Sequence, residues 1–495
     1  MKKEINREDI HHKLKVALVV PNFLWCDWDL SSKWHFIPYN LCLIAAVSRN
    51  IADITIIDAN LKDMNDEAFV SELKKSGPDV IGITVLMDQY GPAGHYAAKL
   101  SKIACPDSKV VVGGVYATMN PEKVILDTNV DYVIVGEGEY VFKELLQHFT
   151  AKYPFPSKGI CYKTESKIIN LGCSDRINDL DSLPLPAYDL IDYLEYVSEL
   201  PSRRSVDMPP ELPYARILTS RGCPVGCVFC QVESISGKKF RPRSASSVLD
   251  EIEWMKARYG IKSLIFDDDN LFLNKKRAME IFGGMIKREL VMPWVSIATA
   301  AFCLDEELLD IMKKSGCEYI DIAIESGSQR VLKEIIGKPI DLKQVSDIAG
   351  KARKMGIYVA ANFVIGFPTE TWNEIRKSIK FAEDIDVDYV KLFVAIPLPH
   401  TKLWQLCTDT EAFKKSFQAG EVRWNYGQIE TDQFSANDLT ILRAYEWDRI
   451  NFTDSNKAAQ TAKRMKITLE ELWKIRRGSL DSVIGHINAN NGQQE

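Results

Sequence analysis

Short apolar runs alternate with amphipathic helical stretches along most of this chain, and few folds survive that constraint. Between residues 14 and 148 the runs 14–20, 54–58, 80–85, 110–112 and 131–135 are separated by helical patterns near 38–49, 65–75, 91–104 and 139–148. Apolar runs without polar alternation predict strands buried on both faces, and the helices between them predict crossovers. The expected result over residues 1–150 is a doubly wound, flavodoxin-like parallel sheet whose ligands meet the carboxyl ends of the strands. A second series begins at 215, with strands expected at 215–220, 263–268, 294–300, 319–325, 358–365 and 389–396. Six such units predict a partial (β/α)6 barrel over 214–404, with working residues again at the strand ends. Residues 151–213 are rich in proline and read as a linker with short strands at 159–163 and 167–171. Residues 405–495 read as a helical C-terminal region, in which Thr468 and Glu471 form a capping box.

The first strand of the second series opens onto Thr219-Ser-Arg-Gly-Cys-Pro-Val-Gly-Cys-Val-Phe-Cys230. Cys223, Cys227 and Cys230 stand in a C-x3-C-x2-C spacing, and Gly222, Pro224 and Gly226 bend the chain between them. Three thiolates wrapped round one small object suit an iron–sulfur cluster or zinc. A closed zinc site needs a fourth ligand, yet the next cysteine is Cys303 and the next histidine is His400. Three sulfurs on a four-iron cluster leave one iron open, which is a catalytic arrangement. The competing reading, three buried free thiols, is disfavoured by the spacing and the glycines.

Composition narrows the partners. The 495 residues are 46% apolar and 26% charged with a net charge of −6, which lacks the basic excess of a nucleic-acid-binding surface. No apolar run approaches the roughly 18 residues of a membrane span. The eleven cysteines are odd in number and scattered outside the central three, which predicts a reduced, cytoplasmic chain. No G-x-G-x-x-G follows the first strand and no P-loop occurs, so nucleotide folds of those kinds are disfavoured.

The cysteine spacing, with Phe229 before the third cysteine and a strand ahead of it, resembles the signature of the radical S-adenosylmethionine (SAM) enzymes. The resemblance implies a 4Fe–4S cluster on Cys223, Cys227 and Cys230 whose open iron is chelated by SAM. One electron, from a partner such as flavodoxin or ferredoxin, then cleaves SAM to methionine and a 5′-deoxyadenosyl radical. The implied SAM contacts lie at successive strand ends. They are Phe229 after the first and, after the second, Asp268 and Asp269 of Phe266-Asp-Asp-Asp-Asn270, where the family usually has Gly-Gly-Glu. Glu325 and Ser326 of Glu325-Ser-Gly-Ser328 follow the fourth strand, and Val364 and Gly366 the fifth. Asn362 stands where the family's G-x-I-x-G-x-x-E has its first glycine, and Glu370 is displaced by one position. Arg241 and Arg243 are candidates for the SAM carboxylate, with solvated surface charge as the plain alternative. A turn or helix cap is the plain alternative for the acidic run and for Ser328.

The stretches VVVGGVYATMNPEKVI (from Val110) and VDYVIVGEGEYVFKELL (from Val130), ahead of such a barrel, resemble the cobalamin-binding domain of cobalamin-dependent radical SAM enzymes. The implied cobalamin contacts are Pro21 and Asn22 after the first strand, Thr84 and Val85 after the third, Gly113 and Gly114 after the fourth, and Gly136, Glu137 and Gly138 after the fifth. From sequence alone these glycines serve equally as turn residues. The D-x-H-x-x-G that supplies an axial histidine elsewhere is replaced here by Pro21-Asn-Phe-Leu-Trp25, which implies cobalt with no protein histidine beneath it. His35 and His95 are the histidines that would contradict this, and Trp25, Trp28 and Trp34 are candidates either to shield that face or to fill the core. The segments LDEELLDIMKKSG and IAIESGSQRVLKEIIGKP resemble the methylases of phosphonate-antibiotic pathways. That implies a methyl group passed from SAM via methylcobalamin to an unactivated carbon, or a phosphinate phosphorus, of a small molecule such as a phosphonate or another natural-product precursor. Two alternatives stay open: ring contraction or oxidative cyclisation with the same cofactors, and an iron–sulfur electron-transfer protein with a corrinoid- or flavin-binding module. A methylthiotransferase needs three further cysteines in its first domain, and Cys26, Cys42 and Cys105 are not suitably spaced.

Overall fold

The computed structural model describes residues 13–25, 36–150, 153–201, 204–414, 417 and 425–491. Trp28, Trp34 and His35 lie outside the described residues. The chain divides into two compact units, Met1–Ile177 with Leu183–Asp192, and Asn178–Ser182 with Tyr193–Glu495.

In the first unit seven strands form one sheet: β1 (Leu14–Val20), β2 (Ala52–Asp58), β3 (Val80–Thr84), β4 (Lys109–Gly113), β5 (Tyr132–Ile134), β6 (Ile160–Lys163) and β7 (Ile168–Asn170). Their order is β2-β1-β3-β4-β5-β6-β7, and the first five run parallel. Val16–Val20 of β1 are at most 2% exposed, as a strand covered by helices on both faces must be. The chain leaves β1 toward β2 and returns to its other side as β3, so the topological switch falls between β1 and β3. Helix Asp66–Ser76 shows how local signals set the crossovers: Asn65 caps its start by accepting from Ala68 N, and Gly77 ends it in the left-handed conformation. The two short strands of the proline-rich segment extend this sheet as β6 and β7, antiparallel, with Val133 opposite Cys161. They cover the edge of β5, whose free N–H and C=O groups would otherwise be open to aggregation.

In the second unit six parallel strands follow one another without a break in order: β8 (Tyr214–Ile217), β11 (Ser263–Phe266), β12 (Trp294–Thr299), β13 (Cys317–Glu325), β14 (Tyr358–Ile365) and β15 (Tyr389–Val394). Between the first two lies a small antiparallel ribbon of β9 (Ser220–Arg221) and β10 (Arg241–Pro242). The strand expected over 215–220 therefore ends at Ile217 and resumes in the ribbon, because the chain must turn there into the cysteine loop. Trp294 anchors the convex face, stacked on Phe282 at 4.7 Å with its indole N–H donating to Ser315 Oγ at 3.0 Å. On the concave face Ala323, Asn362 and Lys391 lie in register across β13, β14 and β15 and are only half-buried, so this face borders open space. Below them Lys391 Nζ is 2.6 Å from Asp321 and 3.2 Å from Asp207. Helix Ala436–Phe452 covers the edge strand β15: Asn451 accepts from Val390 N and donates to Val390 O, both at 2.8 Å. No helix of the described residues is long and apolar enough to cross a membrane.

Candidate functional site

The cysteine loop is held by backbone hydrogen bonds from four directions. Cys223 N donates to Gly237 O (3.3 Å), Cys230 N to Cys227 O (3.0 Å), Val228 N to Ile336 O (3.0 Å), and Leu403 N to Val228 O (2.8 Å). Ile336 ends the π-helical turn Val331–Ile336, and Leu403 lies in the first turn of helix Lys402–Asp409. Gly222 and Gly226 have φ of +84° and +70°, and a Cβ on Gly222 would lie 2.4 Å from Lys239 O. Only glycine fits at Gly222. Burial, with smaller contributions from Glu325, Cys230 and Cys223 and against the opposing Lys338, raises the Cys227 thiol to about 12. Cys230 is raised by burial too. Two buried thiols whose ionisation burial opposes suit an electropositive inorganic core that takes them as thiolates. Among the described residues no three His, Cys, Asp or Glu side chains converge on a single metal ion. A cluster, with each sulfur on a different iron, fits this donor set better than zinc.

The residues named for SAM divide into those facing this loop and those turned elsewhere. Phe229 lies 6.0 Å from the ring of Phe367, joining the loop to the end of β14. Asp269 is exposed as a residue and accepts from Gly222 N at 3.1 Å, while burial of its carboxyl raises the pKa against Gly222 and Arg241. Glu325 ends β13 with φ +77° and is paired at 2.7 Å with Lys338, both buried beside Cys227. Val364 is 9% exposed on the concave face. Asp268 is turned inward. Fully buried, it accepts from Thr219 N, Thr219 Oγ1 and Ser220 Oγ and ties β11 to the chain entering the loop. Burial still lifts its pKa to about 6. Ser326 meets Ser378 Oγ at 2.9 Å on the helix side. Arg243 is paired with the buried Glu251 and also holds Leu218 O, and Arg241, 2% exposed, donates to Ser236 O. Both arginines are internal, which answers the expectation of solvated charge. Gly366 (φ +91°) makes room for Leu439, whose Cδ1 would lie 2.3 Å from an added Cβ.

Two side chains here escape a reading of the sequence. Lys338 is far from the cysteines along the chain, and only its pairing with the strand-end Glu325 reveals it. Cys303, at the end of β12, comes within electrostatic reach of Cys223, and its thiol is raised to about 11 by burial against a hydrogen bond from Asn270. Its distance along the chain conceals that proximity.

In the first unit the named residues gather at the carboxyl ends of β1, β3, β4 and β5, around the switch point. Asn22, Thr84 and Val85 are buried, whereas Gly113, Gly114, Gly136, Glu137 and Gly138 are half-buried. Pro21 is buried just past β1. Asn22 is engaged by Met64 O and Leu24 N, and Thr84 Oγ1 accepts from Asn40 at 2.7 Å. The positive-φ glycines meet protein: a Cβ on Gly114 would lie 2.5 Å from Val85 O, and one on Gly136 2.6 Å from Ser174 Oγ. Ser174 Oγ donates to Glu137 O and Ile177 N to Glu137 Oε2, so residues 174–177 secure that loop, a role invisible in the sequence. His95 has Asp127 at 2.7 Å on one ring nitrogen and Tyr116 at 3.1 Å on the other, which leaves it no nitrogen for a metal. Trp25 packs edge-on against Phe69 and Tyr96. Small residues at a switch point, with His95 already engaged on both ring nitrogens, fit a broad planar ring held through backbone contacts.

Residues 217–382 match the Radical SAM superfamily, and residues 30–146 match the B12 binding domain family. An uncharacterized methyltransferase of Pyrococcus horikoshii is 34% identical over 370 residues, 74% of this chain and 78% of that protein. The cytidylyl-2-hydroxyethylphosphonate methyltransferase of Streptomyces wedmorensis is 30% identical over 379 residues, 70% of this chain and 69% of that protein. The chain is a cobalamin-dependent radical SAM methyltransferase. Its cofactors are accordingly a 4Fe–4S cluster, SAM and cobalamin. The fold agrees: the radical SAM methyltransferase TsrM from Kitasatospora setae superposes with a TM-score of 0.68 at 16% identity, covering 96% of this chain and all of that one. The radical enzyme OxsB gives 0.63 at 18% identity, over 81% of this chain and 55% of its own. This methyltransferase therefore carries its two cofactor modules in separate compact units of one chain.

Proposed function

We propose that the enzyme methylates an unactivated carbon, or a phosphinate phosphorus, of a small molecule. The observation that carries this is the three-thiol loop at the carboxyl ends of parallel strands, in a chain that also contains the B12 binding domain. When bound, the cofactors supply an organic radical from one SAM and a cobalt-borne methyl group from another. The chain's own residues position and exclude. Cys223, Cys227 and Cys230 would hold the cluster, and Asp269 would accept from the SAM ammonium. Phe229, Phe367 and Val364 present apolar surface that keeps water from a radical. Glu325 and Lys338 stabilise each other as a buried pair and fix the end of β13 near Cys227. Residues Pro21–Asn22, Thr84–Val85, Gly113–Gly114 and Gly136–Gly138 would receive the corrinoid. A one-electron donor such as flavodoxin or ferredoxin completes the scheme, because SAM cleavage consumes an electron. The similarity to the Streptomyces enzyme makes a phosphonate or its nucleotide conjugate the first acceptor to try.

Anaerobic reconstitution with iron, sulfide and hydroxocobalamin, followed by turnover with methyl-deuterated SAM, tests the reading. Methylation transfers the label to the acceptor, and its mass rises by one trideuterated methyl less the hydrogen it replaces. Anaerobic magnesium-protoporphyrin IX monomethyl ester cyclase of Rubrivivax gelatinosus is 24% identical over 409 residues. An acceptor that changes mass without gaining label would favour such chemistry over methylation.

A further inference from the structure

Cations in the second unit generally come with acids. Arg216 is bidentate on Asp267 at 2.5 and 2.6 Å, Lys391 stands on Asp321 and Asp207, Lys338 on Glu325, and Arg243 on Glu251. Arg277, 5% exposed, is in no ion pair among the described residues but donates to Arg243 O and Thr219 O; Arg443 departs from both patterns. It lies on helix Ala436–Phe452, is 8% exposed, and its buried Nε has no hydrogen-bond partner. Among the described residues it makes no ion pair, and its ionisable neighbours are the hydroxyls of Tyr389 and Tyr426. A buried guanidinium without a counter-charge is costly, and an anion that reached it would relieve that cost.

The position of Arg443 suits that purpose. Its helix runs alongside β15 from Leu439, seated on Gly366 beyond the end of β14, to Asn451, bonded to Val390 near the start of β15. Arg443 stands between those two anchors. Beside it is the strand whose Lys391 and Phe393 are turned to the open concave face, Phe393 being 37% exposed. Tyr389, on the same face as Lys391, has its hydroxyl held by Trp447 Nε1 at 2.9 Å. Lys391 cannot take the role, since Asp321 and Asp207 already neutralise it. A guanidinium presents planar paired donors that match a carboxylate or a phosphonate in two bonds at once.

We propose that Arg443 is a specificity-determining residue that receives an acidic group, a carboxylate or a phosphonate, on the methyl acceptor. This rests on the methyltransferase reading and narrows its acceptor from a small molecule to a small acid. Burial lowers the guanidinium to about 10, the direction of a cation that lacks its anion.

The test uses the full chain loaded with cluster and cobalamin. SAM cleavage by the wild type checks the methyltransferase reading on its own. Calorimetric binding of 2-hydroxyethylphosphonate and of 3-hydroxypropionate, with 1,3-propanediol as the uncharged control, checks Arg443, and the two acids tell phosphonate from carboxylate. The expected result is that at least one acid binds and the diol does not. Arg443→Met should weaken that acid about thirty-fold or more, and Arg443→Lys should weaken it less. Arg443→Met should also unfold at the same or a higher temperature than wild type without ligand, because an apolar side chain replaces an uncompensated charge. The proposal is overturned by a wild type that cleaves SAM yet binds neither acid, by an Arg443→Met protein that binds the acid undiminished, or by a variant that misfolds or melts lower, the mark of a purely structural arginine. A wild type that binds acid through Arg443 but leaves SAM intact would sink the methyltransferase reading and keep the acid site.

Discussion

Glu370 lies one position from where the family pattern places an acid, and its surroundings make it a structural residue. It is fully buried, and its Oε2 accepts from Gly366 N at 2.7 Å and Phe367 N at 3.1 Å, closing the turn after β14. Burial pushes its carboxyl from 4.5 up to about 7. Between those values the folded protein retains a proton that the unfolded chain has released. The stability this group contributes is therefore full below about 4.5 and falls as pH rises through about 7, by about 3 kcal/mol. Glu370→Gln should flatten that fall, read as the difference in urea midpoints between variant and wild type at about pH 5 and about pH 8. An unchanged difference would refute it. Cys303 calls for the opposite experiment. Among the described residues it is the extra thiol that the fold brings near Cys223, so Cys303→Ala should still load four irons and cleave SAM, whereas Cys227→Ala should do neither. Loss of the cluster in Cys303→Ala would close the open iron on which the chemistry depends. Lys391→Met should destabilise by about 3–5 kcal/mol, because it strands the buried Asp321 without its cation; thermal melting checks this.

Elements in this protein are shaped as much by what they must satisfy as by propensity. The edge strand β15 would leave Val390 N and O unpaired under a helix, and Asn451 answers both. Asn451→Ala should cost roughly 2–4 kcal/mol of stability, the desolvation of two stranded backbone groups; chemical denaturation measures it, and a change within error would show that water replaces the side chain. The cysteine loop depends similarly on borrowed ends: the π-helical turn lends the carbonyl of Ile336, and helix Lys402–Asp409 lends the N–H of Leu403. Gly222→Ala places a methyl 2.4 Å from Lys239 O at φ +84°, so it should fold poorly around the loop and lose iron, as counted per chain after reconstitution. Full iron loading in that variant would mean that the ribbon yields. Asn65, Gly77 and the strand runs are readable from the sequence because each acts on residues within one helical turn. The antiparallel pairing of β6 and β7 to β5 is not, since it depends on which sheet edge the chain returns to.

At the scale of the molecule, two compact units hold the two sets of strand-end residues. Replacing both Cys227 and Cys230 by Ala should therefore abolish the cluster's absorbance while leaving the cobalamin stoichiometry intact. Coupled loss of both would show that cluster loading governs the folding of the first unit. Alternating apolar runs, the C-x3-C-x2-C loop and the strand-end glycines were legible in the sequence alone, because strand burial, turn geometry and sulfur ligation are written in short-range spacing. That sufficed for the fold class, the family and the order of the parts. Tertiary structure alone decided which polar side chains face the cysteine loop and which turn to internal partners. It turned Asp268, Ser326 and Arg243 to internal partners, set Asp269 against Gly222 N, and brought Lys338 and Cys303 beside the cysteine loop. It also left Arg443 buried with no acid paired to it among the described residues. Charge pairing and desolvation are settled by neighbours in space, often several secondary-structure elements apart along the chain, and no local pattern records who those neighbours will be.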